Sequence, residues 1–206
     1  MAWWSSHAVP RLTDRALSSD PIMRLRAEVV AGLEGRVLEI GYGSGLNTAL
    51  YPAGVTSVAA VEPSEVAWRL SGRRRHASPV RIERTGLDGQ HLEAEDASYD
   101  AVLSTFTLCT IPDAALALRE VRRVLRPGGR LHFLEHGQAP DVAVARWQRR
   151  LDPVQRRVAA GCNLSRDMPA LLLGAGLEID AVDAAYLPGP GLGRPWSYVY
   201  AGTAGA

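Results

Sequence analysis

Three glycines at alternate positions, Gly41, Gly43 and Gly45, separate an apolar run (Val37, Leu38, Ile40) from a helix-compatible stretch, Leu46-Asn47-Thr48-Ala49-Leu50. Glycine in that alternation lets a turn take positive φ and lets a ligand touch the backbone, because no Cβ intervenes. One acid, Glu39, interrupts the apolar run and leads into the loop with Tyr42 between its glycines. A second acid, Glu62, closes the Val- and Ala-rich stretch Val55 to Val61 and precedes Pro63 and Ser64. An acid at a strand's carboxyl end, about 20 residues past the first glycine, is placed to hold a ribose diol. A carboxylate can accept from both hydroxyls at once. Helix capping is the competing role, but Ser64 is the better cap and Pro63 suits a helix's first turn. Further along, Glu135 and His136 stand side by side at the end of an apolar run. An imidazole titrating near neutrality could take the proton of a thiol or phenol, and a carboxylate is a weaker base. Alternation along a strand sends neighbouring side chains to opposite faces, so at most one of the pair points at a substrate.

The loop's departures from other patterns narrow its ligand. A dinucleotide fingerprint carries its third glycine at the sixth position; here Leu46 stands there and the glycine arrives one residue early. An acid entering the loop suits a cationic ligand and repels a phosphate pair. The 206-residue chain has a net charge of +1, unlike the strongly basic domains that grip nucleic acid. The local run Arg73-Arg74-Arg75-His76 reads as a solvated helix end. Two cysteines, Cys109 and Cys162, are too few for a metal framework, and the five histidines show no ligand spacing, so no metal is expected. Trp3 and Trp4 open the chain, but no apolar run reaches signal or membrane-span length. A protein of the reducing cytoplasm with no integral membrane span is the expectation. The sequence says nothing of oligomeric state.

These residues need a scaffold of alternating strands and helices. Residues before Arg36 read as a helical lead-in, with Ile22, Leu25, Val29 and Leu33 at helical spacing after Asp20-Pro21. Such a helix could cover the pocket or pack on the sheet. Strands are expected at Val37 to Ile40, Val55 to Val61, Pro79 to Glu83, Ser98 to Ser104 and Arg130 to His136. A helix from Ser64 to Arg73 follows the second strand. Another opens at Pro112-Asp113, carries the stripe Leu118, Val121, Val124 and Leu125, and stops at Arg126-Pro127-Gly128-Gly129. Leu177 to Leu187 and Trp196 to Ala201 read as a closing antiparallel pair joined through Pro188-Gly189-Pro190-Gly191. A strand, glycine loop and helix in succession build the nucleotide site of a doubly wound sheet.

The acid-led alternating glycines, Tyr99-Asp100 at the fourth strand and Leu125-Arg126-Pro127-Gly128-Gly129 before the fifth together resemble class I S-adenosylmethionine (SAM) methyltransferases. A narrower resemblance lies in Thr107-Leu108-Cys109, Phe133-Leu134-Glu135-His136-Gly137, Trp147, Leu151-Asp152-Pro153 and Gly161-Cys162-Asn163-Leu164-Ser165-Arg166. These are similar to the methyltransferase-like family whose membrane-anchored members are implicated in alkyl thiol methylation; that family's hydrophobic anchor is not seen here. The resemblance implies an α/β, Rossmann-like doubly wound sheet, with seven strands in order 3-2-1-4-5-7-6 and strand 7 antiparallel. It implies one methyltransferase domain over 1–206: a lead-in (1–35), a SAM-binding core (36–136), and substrate-side helices with a final hairpin (137–206). SAM is the implied cofactor and a small molecule, with a thiol as candidate, the implied acceptor. Cofactor contacts then fall to Glu39, Gly41, Tyr42, Gly43, Gly45, Glu62, Pro63, Asp88, Gly89, Thr105 and Phe106, with Asp88 meeting the adenine amino group. Catalysis falls to His136 or Glu135. An NAD-type oxidoreductase, disfavoured by Leu46, and a catalytically silent SAM-fold binding protein are the alternatives.

Overall fold

The computed structural model describes residues 8–206; residues 1–7, at the head of the expected lead-in, lie outside the described residues. Seven strands form one sheet: β1 (Gly35–Ile40), β2 (Val55–Val61), β3 (Arg81–Gly86), β4 (Tyr99–Thr105), β5 (Leu125–His136), β6 (Glu178–Tyr186) and β7 (Tyr198–Gly205). Their order is β3-β2-β1-β4-β5-β7-β6, as expected. Pairing is parallel from β3 to β5, and β7 runs antiparallel to both β5 and β6. The central strands are apolar on both faces because helices cover both sides. Val37, Leu38 and Ile40 of β1 and Ala101, Val102 and Leu103 of β4 are all buried, whereas edge strand β3 alternates.

On one face, α5 (Ala114–Val124) lays Ala117, Leu118, Val121 and Val124 against Leu38, Val102 and Phe133. Each fully buried leucine there stabilises the fold by about 1.5–3 kcal/mol. Asp113 caps that helix by accepting from the Leu116 amide at 2.8 Å. On the other face, α2 (Asp20–Val30) packs Ile22, Val29 and Val30 over Val37, Leu103 and Leu134. The lead-in is thus two helices, and the first, α1 (Val9–Leu17), is the one that covers the pocket. After β2 come α3 (Glu65–Leu70) and α4 (Gly72–His76), a break at Ser71 in what the sequence presents as one helix. Arg74 of α4 is not a solvated end: it donates to Asp14 Oδ1 at 2.7 Å and to the Ser44 carbonyl at 2.9 Å, pinning α1 to the glycine loop. The remaining helices are α6 (Val142–Val158), α7 (Met168–Gly174) and α8 (Arg194–Ser197). The one-turn α8 occupies Trp196, so the last strand starts at Tyr198. Leu125 to Gly129 belongs to β5 as an irregular entry, with Gly128 at φ +81° where the register against β4 shifts.

The stretch Leu46 to Leu50 forms only a 3₁₀ turn at Thr48–Leu50, because its polar side chains are committed elsewhere. Arg26 of α2 is 3% exposed, and its Nη1 donates to Asn47 Oδ1 at 2.8 Å and to Thr105 Oγ1 at 2.7 Å. Asn47 Nδ2 donates in turn to Glu39 Oε1 at 2.8 Å and to Thr105 Oγ1 at 3.0 Å. The Tyr51 hydroxyl donates to Glu39 Oε2. One buried network therefore joins α2, β1, the segment after the glycine loop and the end of β4. Burial pushes the Glu39 carboxyl up to about 7 against the bonds from Tyr51 and Asn47 and the charge of Arg26. Burial likewise lowers Arg26 to about 10, with Glu39 and Glu135 opposing.

The raised Glu39 carboxyl has a signed consequence. The folded chain holds this proton more tightly than the unfolded chain, where a glutamate titrates at about 4.3. Its contribution to stability is therefore full below that pH and is lost as pH rises towards 7. Urea denaturation of the parent is expected to lose on the order of 2–3 kcal/mol from this group across that window, a slope absent in Glu39→Gln. Parallel pH profiles for the two proteins would show that folding leaves the Glu39 pKa where it is in the unfolded chain.

Candidate active site

A cavity of about 820 Å³ opens at the carboxyl ends of β1, β2, β4 and β5, within the size range of small-molecule sites. Its floor is the glycine loop. Gly41 takes φ +69°, and a Cβ there would meet Thr107 side-chain atoms at 2.0–2.7 Å, so the loop after β4 can close against it only without a side chain. Gly43 takes φ +60° with the Gly41 carbonyl at 3.7 Å as the nearest contact to such a Cβ, leaving bare backbone on the cavity wall. Tyr42 lines the cavity and hydrogen-bonds Thr48 through its hydroxyl at 2.6 Å. Gly45 lies behind that pair, off the wall.

Glu62 faces the same space. Its Oε2 accepts from the Gly43 amide at 2.7 Å and its Oε1 from the Ser64 amide at 2.6 Å. Each oxygen keeps acceptor capacity for a hydroxyl. Burial raises its pKa against those two bonds. Ser64 supplies the cap of α3, accepting from the Ala67 amide at 3.2 Å. Pro63 completes this wall.

Asp88 and Gly89 also line the cavity. The Asp88 carboxylate is turned into its own loop, where Oδ1 accepts from the Gln90 amide at 2.9 Å and Oδ2 lies 3.2 Å from His91 Nδ1. Those contacts, the Gln90 amide first, hold its pKa below the ordinary value. Gly89 packs on the end of β1, where a Cβ would meet Ile40 at 2.7 Å. On the β4 side, Thr105 belongs to the Arg26 network. Phe106 adopts φ +54°, unusual for a residue with a side chain, and sets its ring edge-on to His136 at 4.9 Å.

Besides Gly45, two further expected site residues do not line the cavity. Glu39 lies beneath the loop, fully engaged by Asn47 and Tyr51. Glu135 is 0% exposed, and its carboxylate accepts from Ser104 Oγ at 2.7 Å, the Thr107 amide at 2.9 Å and the Cys109 amide at 3.2 Å. It anchors the loop after β4 and is no general base for an acceptor. His136, on the opposite strand face, does line the cavity.

The structure adds residues that sequence reasoning missed. Arg26 reaches the cavity from α2, and its buried Nε has no hydrogen-bond partner among the described residues. Cys109 and Cys162, distant in sequence, meet at His136. Their Sγ atoms lie 3.8 Å apart, and Cys162 Sγ lies 4.0 Å from His136 Nδ1. The contact with Cys109, then His136, lowers the Cys162 thiol to about 5, while the Cys109 thiol is raised. Counting cysteines could not reveal this cluster, because its third member is a histidine on another strand. Asn163 stitches the two loops by donating its amide to the Cys109 carbonyl at 2.8 Å, and Asp152 accepts from the Leu164 amide at 2.7 Å.

Comparison with known proteins agrees with this geometry. The methyltransferase domain family is matched over residues 38–133. The thiol S-methyltransferase TMT1B of Rattus norvegicus is 36% identical over 140 residues, 65% of this chain and 56% of that protein. The thiol S-methyltransferase TMT1A of Homo sapiens is 35% identical over 144 residues, 66% of this chain and 58% of that protein. The chain thus spans little more than half the length of these curated relatives. A SAM-dependent methyltransferase from Thermotoga maritima superposes with a TM-score of 0.70 at 22% identity, covering 98% of this chain and 99% of that one. No helix among the described residues is long and apolar enough to cross a membrane. With its sheet order and its acid-led glycine loop, the chain has the fold of class I SAM-dependent methyltransferases, matches the methyltransferase domain family over residues 38–133, and is similar over about two thirds of its length to thiol S-methyltransferases.

Proposed function

We propose that this chain, acting as one domain in the cytoplasm, methylates a small-molecule thiol. The observation that carries the reading is Glu62, held by the Gly43 and Ser64 amides beside bare glycine backbone. That arrangement fits a ribose diol lying across the loop. When bound, SAM supplies a methyl group already activated by its sulfonium leaving group. The chain's own residues have to bind and align. Glu62 accepts from the ribose hydroxyls. Asp88 exchanges its contacts within its loop for the adenine amino group, with Gly89 alongside, and Tyr42, Pro63 and Thr105 line the path between. Arg26, whose buried Nε is otherwise orphaned, takes the carboxylate at the methionyl end. The acceptor approaches from the side of Phe106 and His136. Holding nucleophile, methyl carbon and sulfur in line can contribute several kcal/mol. The thiol class is supported by the similarity to thiol S-methyltransferases over about two thirds of this chain. Two unbridged cysteines suit a reducing compartment.

An acceptor panel of thiols, amines, phenols and lipids, read by release of S-adenosylhomocysteine, is expected to give turnover with thiols. Turnover confined to another class would replace the acceptor, and tight NAD binding without SAM binding would remove the methyltransferase reading. For Glu62, the sharp measurement compares S-adenosylhomocysteine with its 2′-deoxy analogue by calorimetry. The parent is expected to favour the full ribose by about tenfold or more, and Glu62→Ala to bind both alike. Because Glu62 also receives two amides, that variant is expected to unfold more easily by about 1–3 kcal/mol. For Arg26, the control ligand is 5′-methylthioadenosine, which has no carboxylate. Arg26→Met, which also removes the bonds to Asn47 and Thr105, is expected to lose about tenfold or more affinity for S-adenosylhomocysteine beyond whatever it loses for methylthioadenosine. Equal losses for both ligands would confine Arg26 to holding the fold.

A further inference from the structure

The three side chains at the acceptor end of the cavity have a second chemistry. Cys109 sits in the loop after β4, His136 ends β5, and Cys162 follows α6. Each offers one ligand atom, and the three atoms lie within 4.8 Å of one another. We propose that Cys109, Cys162 and His136 form a Zn²⁺ site whose fourth position opens into the cavity and holds the acceptor thiol as its thiolate.

The distances fit that ion. Zinc bonds cysteine sulfur at about 2.3 Å in tetrahedral geometry, which separates two sulfurs by about 3.8 Å. The observed separation is 3.8 Å. A nitrogen at about 2.0–2.1 Å from the same ion lies about 3.6 Å from each sulfur, and Cys162 Sγ stands 4.0 Å from His136 Nδ1. A disulfide would instead require the sulfurs to close to about 2.05 Å.

The surroundings separate a closed side from an open one. Leu164 and Leu151 pack against the cysteines and do not line the cavity, whereas all three ligands do. Two cysteines and a histidine with an open fourth position are a donor set of catalytic zinc. The loops carrying the cysteines are fixed independently of any metal, by Glu135 accepting from the Cys109 amide and by Asn163 and Asp152. Arg166, which donates to the Leu108 and Ile111 carbonyls, places a positive charge beside a centre that three sulfur anions would make negative.

The chemical step balances without any further reagent. The acceptor thiol coordinates the zinc and its proton leaves to solvent, since a metal-bound thiol is deprotonated. A sulfur lone pair then forms the bond to the methyl carbon, and the methyl–sulfonium bond breaks with its electrons going to the departing sulfur. The products are a methyl thioether and S-adenosylhomocysteine. The neutral thioether is a weaker ligand than the thiolate and vacates the position. His136 serves in this scheme as a ligand and positioning group, replacing the general-base role its imidazole suggests.

The inference rests on the thiol reading, so its test has to separate the two. Purified protein, stripped with a chelator and reloaded with Zn²⁺, is expected to retain stoichiometric metal by mass spectrometry. Loaded with Co²⁺, it is expected to show thiolate-to-cobalt charge transfer and intense tetrahedral bands that shift on adding 2-mercaptoethanol. Cys109→Ser and Cys162→Ser should each weaken metal affinity beyond the roughly 10–100-fold that losing an outer-shell partner costs. Both variants should keep the calorimetric affinity for S-adenosylhomocysteine, which shows them folded. No retained metal in a protein that binds S-adenosylhomocysteine would overturn the site. Equal methylation of 2-mercaptoethanol by stripped and reloaded protein would overturn the zinc role and leave the thiol reading standing. A cobalt spectrum dependent on both cysteines, in a protein that methylates only amines or phenols, would keep the metal site and remove the thiol.

Discussion

A guanidinium buried where the central strands end is the constraint on which the rest depends. Removing an ion from water costs several kcal/mol unless charges and hydrogen bonds replace the lost solvation. Arg26 meets that cost with Asn47, Thr105 and the nearby acids Glu39 and Glu135. The commitment of Asn47 prevents the segment after the glycine loop from winding into a regular helix. It also fixes where β1 ends and the loop begins. Alpha-helix, strand ends and loop are thus set by one set of hydrogen bonds, and the cavity inherits its shape from them. The Nε of this guanidinium has no hydrogen-bond partner among the described residues, and Arg26 also lines the cavity.

Acids of the same type serve opposite purposes within this small region. Glu39 spends both oxygens on internal donors and burial makes it a reluctant anion. Glu62 likewise receives one donor on each oxygen, but it lines the cavity, where its remaining lone pairs can accept from a ligand. Glu62, the one of Glu39, Glu62 and Glu135 that lines the cavity, suits hydroxyl donors or positive charge on a ligand and opposes a pyrophosphate. The glycine backbone beside it leaves room for such a ligand to approach closely.

Much of this was legible because it depends on local rules. The run Val37 to Ile40, the capping pair Pro63-Ser64 and the helix stripe Leu118, Val121 and Val124 each announce an element through spacing and residue type. The strand order and the antiparallel β7 followed instead from the resemblance to class I methyltransferases that the motifs carry. What stayed hidden depends on contacts between distant segments. Nothing near Arg26 marks it as buried, since its helix alternates charged and apolar residues like any amphipathic one. The basic run at Arg74 looks solvated until Asp14 and Ser44 arrive from elsewhere. A helix across Leu46 to Leu50 satisfies propensity, and only the tertiary claims on Asn47 and Thr48 forbid it.

The adjacent pair at the end of β5 shows how far alternation alone can carry a reading. It places Glu135 and His136 on opposite faces, so one belongs to the protein's interior and the other to the cavity. It does not say which. The decision comes from the loop after β4, whose amides at Thr107 and Cys109 have no strand partner and need a buried acceptor. Glu135 supplies it, and the side chain that would have been a weak base becomes the peg on which Cys109 hangs. His136, left to the cavity, then meets the adjacent pair Cys109 and Cys162. A single residue step along one strand thereby both orders the loop after β4 and brings Cys109, His136 and Cys162 together.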